Sequence, residues 1–231
     1  MNDVDRRTAI AGVALGIAAL PVAAASQSRT PPSASFTPKP LPFDPAALPG
    51  LSAKLLTSHH DNNYAGAVKR LGAIRTEFAR LDPTTAPGFT INGLKREELI
   101  AWNSMILHEI YFAGLGGASR PSQGLAQAIE RDFGSHARWS AEFTGMGKAL
   151  AGGSGWVLLT WSERDSRLTN QWAADHTMTL AGGTPLLALD MYEHAYAIDY
   201  GAKAADYVDA YMKVLSWDAA SRGFERLVAS I

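Results

Sequence analysis

The chain has 231 residues, 47% of them hydrophobic, with 21 basic and 22 acidic side chains giving a formal net charge of −1. That length suits one ordinary domain or two small ones with a folded core, and the balanced charge gives no electrostatic case for nucleic acid or an anionic membrane. There is no cysteine, which excludes disulfides, thiolate metal sites and Cys nucleophiles, so metal or acid–base chemistry falls to His, Asp, Glu or Tyr.

Residues 1–25 carry the pattern of an export signal. Arg6-Arg7 precede a weakly apolar run, Thr8 to Val22, that ends at Ala23-Ala24-Ala25. The adjacent arginines resemble a twin-arginine signal, a route for proteins exported already folded, and place the protein in the periplasm or otherwise outside the cytoplasm. A retained anchor is the alternative, against which the run is short and interrupted by Gly and Pro. Residues 26–45, rich in Ser, Thr and Pro, form a linker.

From about Leu51 to Leu81 the apolar positions Leu51, Leu55, Val68, Leu71 and Ile74, with His59 and Tyr64 among them, follow a helical repeat. Ser52 caps this helix and Asp82-Pro83 ends it. A second helix runs from about Lys95 to Phe112 and stops at Gly114-Leu115-Gly116-Gly117. Residues 46–117 are therefore an antiparallel helical hairpin. Residues 118–231 read as an α+β domain. Helices over Leu125 to Phe133 and Arg138 to Gly152 lead to a β-hairpin, Gly155 to Trp161 and Arg167 to Thr169, around the polar Ser162 to Ser166. Pro185 to Leu189 adds a strand, completing a small three-stranded antiparallel sheet, and helices follow over Tyr192 to Ile198 and Asp206 to Leu227. No internal repeat and no Gly-rich phosphate loop is present.

Chemistry concentrates after the last strand, in Asp190-Met191-Tyr192-Glu193-His194-Ala195-Tyr196. Helical spacing puts His194 one turn from Asp190 on the same side. A carboxylate and an imidazole so placed suit half of a metal site, and equally a surface Asp beside a core His. His59 and His108, on or beside the apolar stripes of the two hairpin helices, are either ligands or satisfied core histidines.

That segment resembles the D-x-W-E-H-A-Y signature of the iron/manganese superoxide dismutases, with Tyr192 in place of Trp. Asn103 to Phe112 resembles the family's second-helix ligand segment, Ala128 to Ser135 its linker helix, Gly153-Ser154-Gly155-Trp156 its first strand, and Ser216-Trp217-Asp218 its N-W-x element. The likeness covers about residues 46–231. It implies one Fe or Mn ion held by His59, His108, Asp190 and His194, cycling between two oxidation states to convert superoxide to O2 and H2O2. It also implies a homodimer in which Glu193 bonds the ligand histidine of the partner, and an aromatic lining of Tyr111, Trp156 and Tyr192.

Several positions depart from the family pattern. Anchoring on Val68 and Leu71 puts His59 in the first ligand slot, Asn63 where a second His is expected and Ala67 where a gateway Tyr is expected. Anchoring on His60 and Tyr64 as the second-His pair would instead leave Leu56 as the ligand, which cannot bind metal; His60 is the fallback ligand. Ala197 replaces the Tyr that pairs with the missing His, and Tyr64 is the nearest substitute for the gateway phenol. Ser104, four residues before His108, matches neither residue preference, so iron is favoured over manganese only weakly. His176 is expected to hydrogen-bond the metal-bound solvent, with Asp175 and Gln171 as alternatives. The altered surroundings leave a second reading: an exported metal-binding protein of this fold with little or no dismutase activity. A di-iron protein is disfavoured because paired E-x-x-H motifs are absent.

Overall fold

The computed structural model describes residues 36–229; the export signal expected over 1–25 and the first part of the linker lie outside them. Residues 36–45, the rest of the expected linker, lie against the folded part: Phe36, Leu41 and Phe43 pack on its core, and Arg75 sits 5.0 Å over the Phe36 ring.

The first expected helix forms with an interruption. Helix α1 (Ala53–Ser58) is capped by Ser52, whose Oγ accepts from the Leu55 N–H at 3.1 Å. The chain then makes a π-helical turn over His59–Tyr64 before resuming as α2 (Ala65–Ala79). A π turn inserts one residue into the helical ladder and re-aims the side chains that follow; such turns recur at functional sites. Helix α3 (Gly88–Ala113) starts about two turns before Lys95, because its first turns carry Gly88, Gly93 and the exposed Phe89, which hide the apolar period.

Helices α4 (Gln123–Phe133) and α5 (His136–Ala149) are capped by Ser122 and Ser135, and Gly134 between them takes φ +82°, the left-handed conformation that closes a helix end. Strands β1 (Trp156–Ser162), β2 (Arg167–Ala173) and β3 (Gly183–Asp190) form the expected antiparallel sheet in the order β2-β1-β3. The central strand is buried at every residue, which explains its unbroken apolar run. Trp156 pairs with Asp190 across the sheet.

The C-terminal helices are more broken than periodicity suggests. Glu193–Ala195 is a 3-10 turn, followed by α6 (Ala197–Tyr200), α7 (Ala204–Lys213) and α8 (Asp218–Val228). The break after α7 is tertiary in origin: Leu215 bridges Leu115, and the Ser216 N–H donates to the Gly114 carbonyl at 2.8 Å. No Gly or Pro announces it. Hairpin and sheet share one core, in which Leu107, Tyr111 and Phe112 join Leu187 and Leu189. Among the described residues no helix is long and apolar enough to cross a membrane.

Candidate metal centre

Four side chains from four elements converge inside this core. His59 comes from the π turn, His108 from α3, Asp190 from the end of β3 and His194 from the 3-10 turn. The Nε2 atoms of His59, His194 and His108 lie 3.0, 3.1 and 3.5 Å from a single oxygen, Asp190 Oδ2. His59, His108 and Asp190 are buried, and His194 is partly so.

The placement of Asp190 follows from its backbone. On the free edge of β3, the Ala188 and Asp190 carbonyls accept from the Tyr211 and Tyr207 hydroxyls of α7 at 3.0 and 2.9 Å. Two residues of strand advance about 6.6 Å and four of helix about 6 Å, so an i, i+4 tyrosine pair matches alternate carbonyls. Asp190 Oδ1 is taken by the Tyr192 N–H at 2.9 Å, which leaves Oδ2 to face the imidazoles.

Burial and hydrogen bonding set the protonation states. Burial pushes the His108 imidazole down to about 3 and lowers His59 as well, so both rings are neutral near pH 7. Burial alone would raise the Asp190 carboxyl, but its interactions with the His194 and His59 imidazoles, hydrogen bonds from both among them, outweigh it and hold the group well below the usual carboxylate range. His108 Nδ1–H donates to the Ser104 carbonyl at 2.6 Å, so its Nε2 presents a lone pair to the cluster. That Nε2 is buried without a hydrogen-bond partner among the described residues, as is His59 Nδ1. Four donor atoms within 4.8 Å of one another, three imidazole nitrogens and one carboxylate oxygen, fit a borderline transition-metal ion. The orphaned His108 Nε2 is the atom such an ion would satisfy.

Aromatic rings wall the cluster. Tyr111 and Phe112 lie 4.9 and 5.1 Å from His59, Trp156 lies 5.2 Å from His108, and Tyr192 stacks on His194 at 5.4 Å. His176 belongs to this wall. Its ring stacks on Tyr192 at 4.8 Å and lies 6.1 Å from His108. Trp156 Nε1–H donates to His176 Nδ1 at 3.0 Å, so the neutral ring carries its proton on Nε2. Asn103 Nδ2 holds the His176 carbonyl at 2.6 Å. The alternatives to His176 are occupied elsewhere: Asp175 caps its own turn through Thr177, and Gln171 bonds the Met178 carbonyl and Thr160.

The adjacent histidines separate cleanly. His59 enters the cluster, while His60 Nε2 bonds the Lys39 carbonyl at 2.8 Å and Nδ1 contacts Asp61 at 2.7 Å. Tyr64, expected as the nearest substitute for the gateway phenol, has its hydroxyl engaged by Lys39 and Glu109. Its hydroxyl accepts from the Lys39 N–H at 2.9 Å and donates to Glu109 Oε1 at 3.0 Å, so it ties down the N-terminal segment and makes no hydrogen bond to the cluster among the described residues. Sequence reasoning missed Asn103, Tyr207 and Tyr211. The Tyr207/Tyr211 spacing was a usable signal; the Ser104 carbonyl, a backbone acceptor, left none.

Comparison with known proteins agrees with this geometry. The family described as iron/manganese superoxide dismutases, C-terminal domain, matches residues 121–223. A superoxide dismutase [Fe] from Cupriavidus metallidurans is 66% identical over 184 residues, covering 80% of this chain and 93% of that protein. Superoxide dismutase [Mn] 1 of Halobacterium salinarum is 35% identical, covering 77% and 88%, and a superoxide dismutase [Fe] of Aquifex pyrophilus is 32% identical, covering 79% and 88%. Identity sustained over most of both chains makes this protein a member of the iron/manganese superoxide dismutase family.

Proposed function

We infer that the chain is a superoxide dismutase whose metal is held by His59, His108, Asp190 and His194. The observation that carries this is the convergence of three imidazole Nε2 atoms on Asp190 Oδ2 in a buried, aromatic-walled site. When bound, iron, or alternatively manganese, supplies one-electron redox chemistry between two oxidation states, by which superoxide becomes O2 and H2O2. The residues do the rest. Asp190 contributes the one negative charge of the set, and Ser104 fixes the tautomer of His108. His176, kept neutral by burial and with its proton on Nε2, donates a hydrogen bond to solvent in the pocket. Tyr192 and Trp156 hold that ring in place by stacking and by the indole N–H.

Two further parts of this reading rest on sequence. Glu193 is exposed beside His194 and stands at the motif position that reaches the partner's ligand histidine, which supports a homodimer. Arg6-Arg7 and the apolar run behind them support export, by the twin-arginine route, to the periplasm.

Asn63 and Ala67 favour the second reading, a metal-binding protein with little dismutation, because the expected gateway phenol is absent and Tyr64 is engaged elsewhere. One experiment separates the two. Purified protein is analysed for metal content and assayed for superoxide removal; a metal-replete protein with negligible dismutation overturns the enzyme reading.

A further inference from the structure

Asn103 lies well inside α3, yet its side chain makes no hydrogen bond within its own helix among the described residues. Asparagine is a poor residue for a helix interior, because its amide competes with the backbone for hydrogen bonds. Here the amide reaches away from the helix: Nδ2–H donates to the His176 carbonyl at 2.6 Å, from a position 73 residues away in the chain. His176 belongs to the connection between β2 and β3, residues 174–182. Among the described residues this bond is the one hydrogen bond from the helical hairpin to that connection.

The other restraints on His176 act on its ring. The Trp156 indole N–H donates to Nδ1 at 3.0 Å, and Tyr192 stacks on the ring at 4.8 Å with the planes 10° apart. These contacts fix the rotation and tilt of the imidazole, while the Asn103 bond fixes the backbone that carries it. Among the described residues nothing accepts from Nε2–H, the proton left once Nδ1 is taken. The turn of α3 that carries Asn103 also carries Ser104, whose carbonyl accepts from His108 Nδ1–H at 2.6 Å. One helical turn therefore holds both a candidate ligand and the ring beside it, with the two imidazoles 6.1 Å apart.

We propose that Asn103 is a positioning residue for the redox site: by holding the His176 carbonyl it fixes where Nε2–H stands relative to the ligand cluster, and through that ring it sets the midpoint potential. The proposal rests on the redox reading above, in which His176 donates a hydrogen bond to solvent in the pocket. Among the described residues Asn103 makes no hydrogen bond to His59, His108, Asp190 or His194, so its effect passes through His176. Hydrogen bonds weaken steeply as their geometry degrades, and donors beside a metal site tune its potential. Releasing the backbone anchor alters that donor while leaving every ligand, every charge and the ring itself in the chain.

The test compares full-length, iron-loaded wild type with Asn103→Leu, His176→Ala and the double variant. Leu is close to Asn in shape and cannot donate a hydrogen bond. Iron content is measured first, then the midpoint potential by equilibrium redox titration. Asn103→Leu should load iron as wild type does, with its potential shifted in the same direction as in His176→Ala and by less. The double variant should have the potential of His176→Ala alone, because nothing is left for residue 103 to position. An unchanged potential in Asn103→Leu overturns the proposal, and so does an equal shift with and without the His176 ring. Where Asn103→Leu does not fold or load iron, Asn103→Ala, the better helix former, is judged by the same two criteria. Superoxide removal by the same preparations is measured separately. An active dismutase whose potential ignores residue 103 refutes the positioning role alone. The expected shifts in a protein that removes no superoxide refute the dismutase reading alone.

Discussion

Replacing His108 by Gln should flatten the acid side of the stability profile of the metal-free protein. Burial pushes the imidazole down to about 3 from its ordinary 6.5. In the unfolded chain the ring takes up a proton near its ordinary value, and in the folded chain it does not. The unfolded state therefore binds more protons below that point, so stability is full at higher pH and falls as pH drops toward the folded value. Each pH unit in this window costs up to about 1.4 kcal/mol per group, so the fall to about pH 4 costs roughly 3 kcal/mol. Asp190, held well below the usual carboxylate range, stays charged in both states above about pH 4 and leaves this window to the histidines. His59 has the same sign and remains in the variant. Urea unfolding of chelator-treated wild type and His108→Gln, at several pH values with the denaturant slope checked for constancy, measures the effect. The wild type should lose roughly 3 kcal/mol more than the variant over the window. Parallel profiles, whatever their vertical offset, would refute the claim that this ring is buried neutral.

Two more perturbations test the surroundings. Gly155 has φ +132°, and a Cβ there would stand 2.2 Å from the Ala173 carbonyl oxygen; Gly155→Ala should cost about 2–4 kcal/mol in unfolding free energy. Because the Gly155 carbonyl accepts from the Met191 N–H at 2.9 Å, the variant should also bind less metal, and a fully loaded variant of normal stability would contradict this. His176→Ala, with occupancy checked by metal analysis, should shift the midpoint potential and lower the dismutation rate. An unchanged potential and rate would remove His176 from the solvent network.

The candidate ligand cluster was legible because its residues carry their own chemistry. With no cysteine and six histidines, few sets could bind a metal, and Asp190 and His194 stood at motif spacing. The sheet was legible for a different reason: β1 is buried at every position, and an apolar run between turn residues has few other readings. What stayed hidden is tertiary. Tyr64 sits on the apolar stripe four residues before Val68, and nothing in that spacing tells that Lys39 and Glu109 will claim its hydroxyl. The π turn over His59–Tyr64 stayed hidden too, since no helical period reveals its extra residue, although anchoring on Val68 and Leu71 already pointed to His59. The start of α3 was missed because glycines and an exposed Phe break the period there, and the end of α7 because its partner, the Gly114 carbonyl, is some hundred residues away in the chain.

The same cluster also makes metal part of the fold's stability. Without an ion, His108 Nε2 is buried and unpartnered, a deficit of about 1–3 kcal/mol, and three imidazoles crowd one carboxylate oxygen. An ion bound by these four residues would give His108 Nε2 its partner and take the place of the contacts that the His59 and His194 imidazoles make with Asp190 Oδ2. An ion present at about a thousandfold its dissociation constant stabilises the native state by about 4 kcal/mol, which for a chain of this size raises Tm by roughly 8–16 °C. Calorimetry of metal-free and reconstituted protein should show that shift, and Asp190→Asn should abolish it by removing the only anionic donor. Equal Tm values for the two forms, with the ion shown to be bound at these four residues, would mean that the native state gains nothing from metal and that the site is built for some other occupant.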